Sequence, residues 1–254
     1  MKLSGRVAIV TGAAQGMGAA MAKRFASEGA AVVVADINTE KAERVADEIK
    51  GQGGTAIVFE VDVANRVEVQ NMVRTTMEKF EAIHILVNNA GIVRRAPFLD
   101  LTEEDWDISI DVNLKGVFNC SQAVLRHMIE QRYGKIINIS SVAGIGHGRP
   151  DLASYAAAKA GVIQLTKVTA REAGPYGINV NCIAPGFIAT GLSYVGRTRE
   201  ETEISIEERK RLTVLGRAGT PEEVANLALF LACDDSSFIA GQVIPIDGGR
   251  TDGM

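Results

Sequence analysis

The sequence predicts an α/β fold in which a seven-stranded parallel sheet is doubly wound, with helices on both faces. Short apolar runs alternate with longer stretches of helical period, and a glycine-rich turn directly follows the first run. No linker, repeat or low-complexity tract interrupts this pattern along the 254 residues. Residues 1–254 are therefore expected to form a single domain.

The candidate strands are short runs rich in valine, isoleucine and alanine, as expected for strands that are buried on both faces of a sheet. In chain order they are Arg6–Thr11, Ala31–Asp36, Thr55–Val61, Ile85–Asn88, Lys135–Ser140, Asn179–Ile183 and Gln242–Ile246.

Apolar side chains recur with the helical period between these runs. The candidate helices are Gly16–Glu28, Thr39–Gly51, Arg66–Phe80, Thr102–Gln131 with a break near Asn113, Ser154–Ala173 and Pro221–Ala232. The charge-dense interval Arg197–Arg211 is expected to form a solvated amphipathic helix.

Composition excludes several classes of function. The 31 acidic residues outnumber the 27 basic ones, so no basic excess exists for nucleic acid or a membrane surface. Cys120, Cys182 and Cys233 are far apart, and no His, Cys, Asp or Glu grouping has metal-ligand spacing, so neither disulfides nor a metal site are expected. The apolar run after Arg6 is too short for a signal peptide. A cytoplasmic location is predicted.

The turn Thr11–Gly18 carries Gly12, Gly16 and Gly18 between the first strand and the first helix. Glycines let the backbone approach a pyrophosphate closely, and the N–H groups and dipole of the following helix stabilise its charge. Three glycines alone would also suit a methyltransferase that binds an adenosyl group, or a merely tight turn.

Asp36 makes the dinucleotide interpretation more specific. It closes the second strand 18 residues after Gly18, where a carboxylate can accept hydrogen bonds from an adenosine ribose. A 2′-phosphate there would meet a negative charge, and neither the turn nor Ile37 and Asn38 supplies a cation to pair with it. The expected cofactor is NAD(H), with NADP(H) disfavoured; the alternative is that Asp36 is a solvated turn residue.

With the motifs that follow, the sequence resembles the short-chain dehydrogenase/reductase superfamily over essentially its whole length. The matching residues are Thr11–Gly18, Asp62–Val63, Asn88–Gly91, Asn113, Ser140–Ser141, Tyr155–Lys159, Pro185–Gly186 and Asp247–Gly249. The resemblance implies a Rossmann fold and a nicotinamide cofactor.

Several cofactor contacts are implied by this resemblance. The residues are Gly12, Gln15, Gly16, Met17 and Gly18 in the turn, Asp36 and Ile37 after the second strand, Asp62 and Val63 beside the adenine, Asn89, Ala90 and Gly91 in the cleft, Tyr155 and Lys159, and Pro185, Gly186, Ile188 and Thr190 on the nicotinamide side. Each could instead be a strand-end or turn residue, and Asn88 could brace neighbouring strands.

Tyr155 and Lys159 stand four residues apart in a stretch of helical period, so both side chains project from one face. A nearby ammonium favours the phenolate, and Tyr155 is expected to take the hydroxyl proton as hydride leaves an alcohol, or to donate a proton to a ketone in reverse. By resemblance, Lys159 also binds the nicotinamide ribose, and Asn113 supports a water-linked proton relay.

The substrate-orienting serine is ambiguous between Ser140 and Ser141. Ser141 is preferred because it precedes Val142-Ala143-Gly144, as the active serine of the family usually does. The interval from Ser141 to Tyr155 is 14, one longer than in many members of the family. His147 is the one histidine of this interval, so it is the histidine that could reach a substrate; the alternative is an ordinary surface histidine.

The resemblance also implies a loop over the substrate at about residues 187–215. Ile188, Leu192, Tyr194, Val195, Ile204 and Ile206, with Val93, Ile145 and Leu152, could line the pocket.

The resemblance is to the 3-oxoacyl-[acyl-carrier-protein] reductase branch, whose members typically use NADPH and two arginines for the carrier. Those positions are Arg132 and Tyr176 here. The main prediction is therefore an NAD-dependent secondary alcohol dehydrogenase or ketone reductase. The alternatives are a 3-oxoacyl-[acyl-carrier-protein] or 3-oxoacyl-CoA reductase and a non-catalytic dinucleotide sensor. The expected assembly is a homotetramer.

Overall fold

The computed structural model describes residues 1–146, 149–190, 204, 206–208 and 210–250. Its centre is one seven-stranded sheet in the order β3-β2-β1-β4-β5-β6-β7. All six strand pairs are parallel. The strands are β1 Val7–Thr11, β2 Ala31–Asp36, β3 Thr55–Glu60, β4 Ile85–Asn88, β5 Gly134–Ile139, β6 Ile178–Pro185 and β7 Val243–Ile246.

Helices cover both faces of the sheet, which confirms the predicted fold class. The α-helices whose whole range is described are α1 Gly16–Ser27, α2 Thr39–Gly51, α3 Arg66–Phe80, α4 Glu103–Ile110, α5 Gly116–Gln131, α6 Ala153–Ala173 and α7 Pro221–Ala232. One core cluster joins Ala8 and Val10 to Phe25 of α1, and a second joins Ile9 to Met72 of α3 and Val124 of α5. Alternate side chains of β1 thus pack against the helices on opposite faces of the sheet.

The order of the strands positions the site. The chain builds outward from β1 to β3 in one direction and from β4 to β7 in the other, so β1 and β4 are neighbours at the point where the direction reverses. In sheets of this kind the loops after the two strands at that point diverge to opposite faces and leave a crevice. The loops after β1 and β4 carry the Gly12 turn and Asn89–Gly91.

The predicted break near Asn113 is a π-helical turn, Asp111–Lys115, between α4 and α5. The helix begins at Glu103 rather than Thr102, because the Thr102 hydroxyl accepts a hydrogen bond from the Asp105 N–H as the N-cap.

Five predicted strands have bounds that differ from the structure by one or two residues, and β1, β3 and β7 are each one residue shorter than predicted. β6 continues past Ile183 to Pro185, because its last residues pair with β7 in the register Pro185↔Ile246. β5 is displaced by one residue towards its start. Most of the interval Arg197–Arg211, expected to be an amphipathic helix, lies outside the described residues, and its described residues 204, 206–208 and 210–211 are helical. No helix in the described ranges is long and apolar enough to cross a membrane.

Candidate active site

The glycine-rich turn forms a cradle whose shape depends on the absence of side chains. Gly12 and Gly16 have φ of +64° and +57°, in the left-handed region. A Cβ on Gly12 would lie 2.8 Å from Ala90 Cα, and one on Gly18 would lie 2.1 Å from the Gly12 carbonyl oxygen. Gln15, the N-cap residue of α1, makes no capping hydrogen bond, and the first turn of α1 has no acidic side chain. The N–H groups at the start of α1 are therefore available to bind an anion in the cradle.

Asn89 joins this turn to the end of β4. Its Nδ2 donates to the carbonyl oxygens of Thr11 and Gly12, each at 3.0 Å. The neighbouring Asn88 instead braces the interior, because its Nδ2 donates to Ser121 Oγ at 2.9 Å and Asn138 Oδ1 at 2.8 Å. The structure thus supports the bracing alternative for Asn88.

Asp36 lies beside the turn. Its carboxylate accepts hydrogen bonds from the N–H groups of Ala14 and Asn38, both at 2.9 Å. Sequence reasoning missed Lys41, whose Nζ donates to Gln15 Oε1 at 3.1 Å. A cation therefore does reach the turn, brought there by the first turn of α2 rather than by the residues directly after Asp36.

A cleft of about 570 Å³ runs along this edge of the sheet. Predicted cofactor residues that line it are Gly12, Gln15, Gly16, Met17, Asp36, Ile37, Asp62, Val63, Asn89, Ala90, Gly91 and Thr190. The predicted cofactor residues that do not line this cleft are Gly18, Tyr155, Lys159, Pro185, Gly186 and Ile188. Gly18 instead packs against the Gly12 carbonyl. The glycine cradle at the start of α1 and the volume of the cleft fit a dinucleotide.

Ser141 and Tyr155 meet beside this cleft. Ser141 is the N-cap of the short 3₁₀ helix Val142–Ile145, and its Oγ accepts a hydrogen bond from the Ala143 N–H at 3.2 Å. Burial raises the pKa of Tyr155, whereas the neighbouring Ser141 hydroxyl and the nearby charge of Arg95 lower it. Ser140 points elsewhere, because its hydroxyl donates to the Lys159 carbonyl at 2.7 Å.

Lys159 is 3% exposed and lies on α6 one turn after Tyr155. Its Nζ donates to the Ile139 carbonyl at 2.9 Å and lies 5.7 Å from the centroid of the Tyr155 ring. Burial lowers the pKa of Lys159 to about 8. The expected lowering of the Tyr155 pKa by this ammonium is therefore not found, because burial dominates and Arg95 is the cation that opposes it.

Asn113 is fully buried in the π-helical turn. Its Oδ1 accepts from the Ile92 N–H at 3.1 Å, and its Nδ2 donates to the carbonyl oxygens of Ile92 and Ser109 at 3.0 and 2.9 Å. The side chain holds the loop after β4 in place. Its predicted role in a proton relay stays a prediction.

A second, smaller cavity of about 130 Å³ opens at Ser141 and Tyr155. The other described residues that line it are Val93, Arg95, Val142, Ala143, Arg149, Leu152, Gly186, Phe187, Leu212, Thr213, Asp247 and Arg250. Val93 and Leu152 were predicted to line the substrate pocket. Ile145 and Ile204 are exposed instead, at 36% and 54%. Leu192, Tyr194, Val195 and His147 lie outside the described residues.

Sequence reasoning missed the three arginines of this cavity. Arg149 stands in the lengthened interval between Ser141 and Tyr155, and Arg95 follows the Asn89–Gly91 motif by four residues. Their positions beside these motifs could have indicated that they line the cavity. A charged residue in a loop is usually solvated, however, so the sequence alone did not favour that prediction. Only the packing of the loops shows that the Nε atoms of Arg95 and Arg149 are buried.

Arg132 and Tyr176, the two positions that the resemblance associates with carrier binding, lie close together in the structure. Arg132 donates to the Pro175 carbonyl at 3.3 Å, next to Tyr176, which is 40% exposed. This surface therefore has one arginine where the branch typically has two.

The chain is similar to known proteins along nearly its whole length. The family described as enoyl-(acyl carrier protein) reductase matches residues 12–251. A 3-oxoacyl-[acyl-carrier-protein] reductase of Thermotoga maritima is 46% identical, covering 98% of this chain and 99% of the relative. A (2S)-[(R)-hydroxy(phenyl)methyl]succinyl-CoA dehydrogenase subunit of Thauera aromatica is 43% identical, covering 99% and 98%.

A solved structure agrees with the fold. A short-chain type dehydrogenase/reductase from Mycobacterium marinum superposes with a TM-score of 0.93 at 37% identity, covering 99% of this chain and 97% of that one. The chain therefore belongs to the short-chain dehydrogenase/reductase superfamily of oxidoreductases, whose members bind a nicotinamide dinucleotide, and it resembles the 3-oxoacyl-[acyl-carrier-protein] reductase branch.

Proposed function

We propose that the protein interconverts a secondary alcohol and a ketone, with Tyr155 as the general acid and base. The observation that carries this proposal is that Ser141 and Tyr155 line one small cavity beside the long cleft. The two cavities share the loop after β4, because Val93 and Arg95 line the small cavity and Ile92 and Arg94 line the cleft. Ser141 orients the substrate oxygen by a hydrogen bond. Tyr155 takes the hydroxyl proton of an alcohol, or returns it to the oxygen of a ketone.

The cleft residues would hold the dinucleotide, with its pyrophosphate against the N-terminus of α1 and its adenosine ribose beside Asp36. A bound nicotinamide supplies the chemistry of hydride exchange with the substrate carbon. Lys159, fixed by the Ile139 carbonyl, would donate to the nicotinamide ribose. Asp36 supports NAD(H), whereas Lys41 beside Gln15 is the feature that would accommodate NADP(H).

Two substrate classes follow from this chemistry. The relatives support a 3-oxoacyl thioester more strongly than a generic secondary alcohol, since the similar proteins include acyl-carrier reductases and a dehydrogenase of a substituted succinyl-CoA. The lone Arg132 at the carrier-binding positions is the observation that favours a substrate without a protein carrier.

The test is hydride transfer from NADH and from NADPH to three acceptors: a simple ketone, acetoacetyl-CoA and a 3-oxoacyl carrier protein. Oxidation of either cofactor with any acceptor supports the reaction, and the ratio of kcat/KM values assigns the substrate class. A folded protein that binds the cofactor and transfers hydride to none of them would instead be a dinucleotide sensor.

Two further features belong to this proposal. The segment at residues 187–215 would cover the substrate, which is supported by Phe187, Leu212 and Thr213 in the cavity wall. A homotetramer is supported by the partly exposed apolar side chains of Trp106, Phe118 and Val168 on α4, α5 and α6. Light scattering that gives a monomer would refute the tetramer.

A further inference from the structure

The cavity at Ser141 and Tyr155 contains more positive charge than hydride transfer requires. Arg95, Arg149 and Arg250 line it, and Asp247 is the one acidic residue among the described lining residues. Asp247 Oδ1 already accepts a hydrogen bond from the Gly249 N–H at 3.0 Å. The wall around the reacting group is therefore cationic.

Arg95 is partly neutralised by a neighbour outside the lining. Its Nη1 lies 3.0 Å from Asp151 Oδ2, and the Ala96 N–H donates to the Asp151 carbonyl at 3.2 Å. These two contacts hold Asp151 at a φ of +76°, a conformation that disfavours a residue with a side chain. The loop after β4 and the loop before α6 are thus tied together at this pair, which fixes where Arg95 enters the cavity.

Among the residues that the structure describes, none supplies Arg149 with such a counter-charge. It forms no ion pair with the described residues, and its Nε is buried without a hydrogen-bond partner. Arg95 Nε and Asp151 Oδ1 are also buried without partners. An unpaired buried donor on a charged group is costly, and a guanidinium is shaped to donate to a carboxylate through two parallel hydrogen bonds.

We propose that Arg149, assisted by Arg95 Nε, binds a carboxylate of the substrate, so that the ketone or alcohol on which Tyr155 acts is itself an acid. This inference rests on the proposed function and names its substrate class. Because the arginines share a cavity of about 130 Å³ with Ser141 and Tyr155, the carboxylate is only a few bonds from the reacting carbon. The phosphates of a coenzyme A or carrier thioester are separated from that carbon by the whole pantetheine arm, so they do not match this position.

The probes are acetoacetate and 4-oxopentanoate, each compared with its neutral methyl ester. In the wild-type protein the kcat/KM for at least one acid is expected to exceed that for its ester by tenfold or more. Arg149→Gln is expected to lose at least tenfold on the acid and less than twofold on the ester. Arg149→Lys keeps the positive charge but cannot donate two parallel hydrogen bonds. Its kcat/KM for the acid is therefore expected to lie between the values for the wild type and Arg149→Gln. Arg171→Gln, an exposed change on α6, is the matched control and is expected to alter neither value.

Calorimetric binding of the same probes in the presence of NADH or NADPH separates this inference from the proposed function, because it requires no turnover. Binding of an acid that exceeds binding of its ester and depends on Arg149 supports the carboxylate site even if no acceptor is reduced. Equal binding of acid and ester, or an equal effect of Arg149→Gln on both, overturns it while leaving ketone reduction intact. Competition by inorganic phosphate but not by acetate would assign the arginines to a phosphate and would also overturn it.

Discussion

The Nζ of Lys159 lies 5.7 Å from the centroid of the Tyr155 ring and donates to the Ile139 carbonyl at 2.9 Å. The two side chains share one face of α6, but the ammonium is held by the end of β5 and not by the phenol. Lys159 is therefore fixed beside Gly91 at the edge of the long cleft, and the protonation of Tyr155 depends on burial, Ser141 and Arg95.

Replacing Tyr155 by phenylalanine removes the phenolic proton and leaves the ring in place. We expect kcat to fall by about 10²–10⁴-fold, because a positioned acid or base contributes on that order. Steady-state reduction of the best acceptor measures it, with Tyr133→Phe as the control, since the Tyr133 hydroxyl donates to Asp234 at 3.0 Å outside the cavity. Turnover that survives Tyr155→Phe would disprove the acid–base role.

Substitution of Ser141 is expected to lower turnover, whereas substitution of Ser140 is expected to lower stability. Ser141→Ala removes the hydroxyl beside Tyr155, so turnover is expected to drop while the melting temperature changes little. Ser140→Ala removes the hydrogen bond that this hydroxyl donates to the Lys159 carbonyl at 2.7 Å, which costs about 0.5–1.5 kcal/mol of stability because the carbonyl keeps its partner within α6. Denaturant unfolding and initial rates on both variants separate the roles. Loss of turnover in Ser140→Ala alone would reverse the assignment.

Stability is expected to depend on pH through Lys159. Its pKa is about 8 in the folded protein and 10.5 without burial, so charging the buried amine penalises the fold fully below pH 8. The penalty is relieved as pH rises from about 8 to 10.5, because only the unfolded chain then holds the proton.

Denaturant unfolding of the wild-type protein and of Lys159→Met measures this effect as a difference, which cancels the other titrating groups. The free energy of unfolding of the wild type relative to the variant is expected to rise by up to ~3 kcal/mol over that range, at ~1.4 kcal/mol for each pKa unit. A difference that stays constant with pH would show that Lys159 titrates normally.

Cofactor preference is expected to depend on the opposed charges of Asp36 and Lys41. Asp36→Asn keeps the size of the side chain and removes the charge, so the ratio of NADP to NAD affinity is expected to rise by about tenfold, or ~1.4 kcal/mol. Lys41→Gln is expected to lower that ratio. Fluorescence titration of both cofactors measures it, and an unchanged ratio in Asp36→Asn would contradict the role given to Asp36.

Much of this architecture could be predicted from the sequence because the signals are local. The apolar runs of β1 and β4 and the period of α6 depend on neighbouring residues, and the structure confirms those elements to within one or two residues. The same holds for the turn at Gly12, where a positive φ and close backbone approach require glycine. Tyr155 and Lys159 share a face simply because they are four residues apart on a helix.

The tertiary structure alone decided what surrounds these residues. Lys41 reaches Gln15 across 26 positions, and Arg95 pairs with Asp151 across 56. Burial raises the pKa of Tyr155 and lowers that of Lys159, whereas spacing along α6 had suggested only mutual attraction of their charges. Desolvation and long-range ion pairs depend on which loops pack together. Local sequence patterns therefore predict the elements and the motif, whereas the charge and shape of the cavity at Ser141 and Tyr155 depend on the tertiary structure.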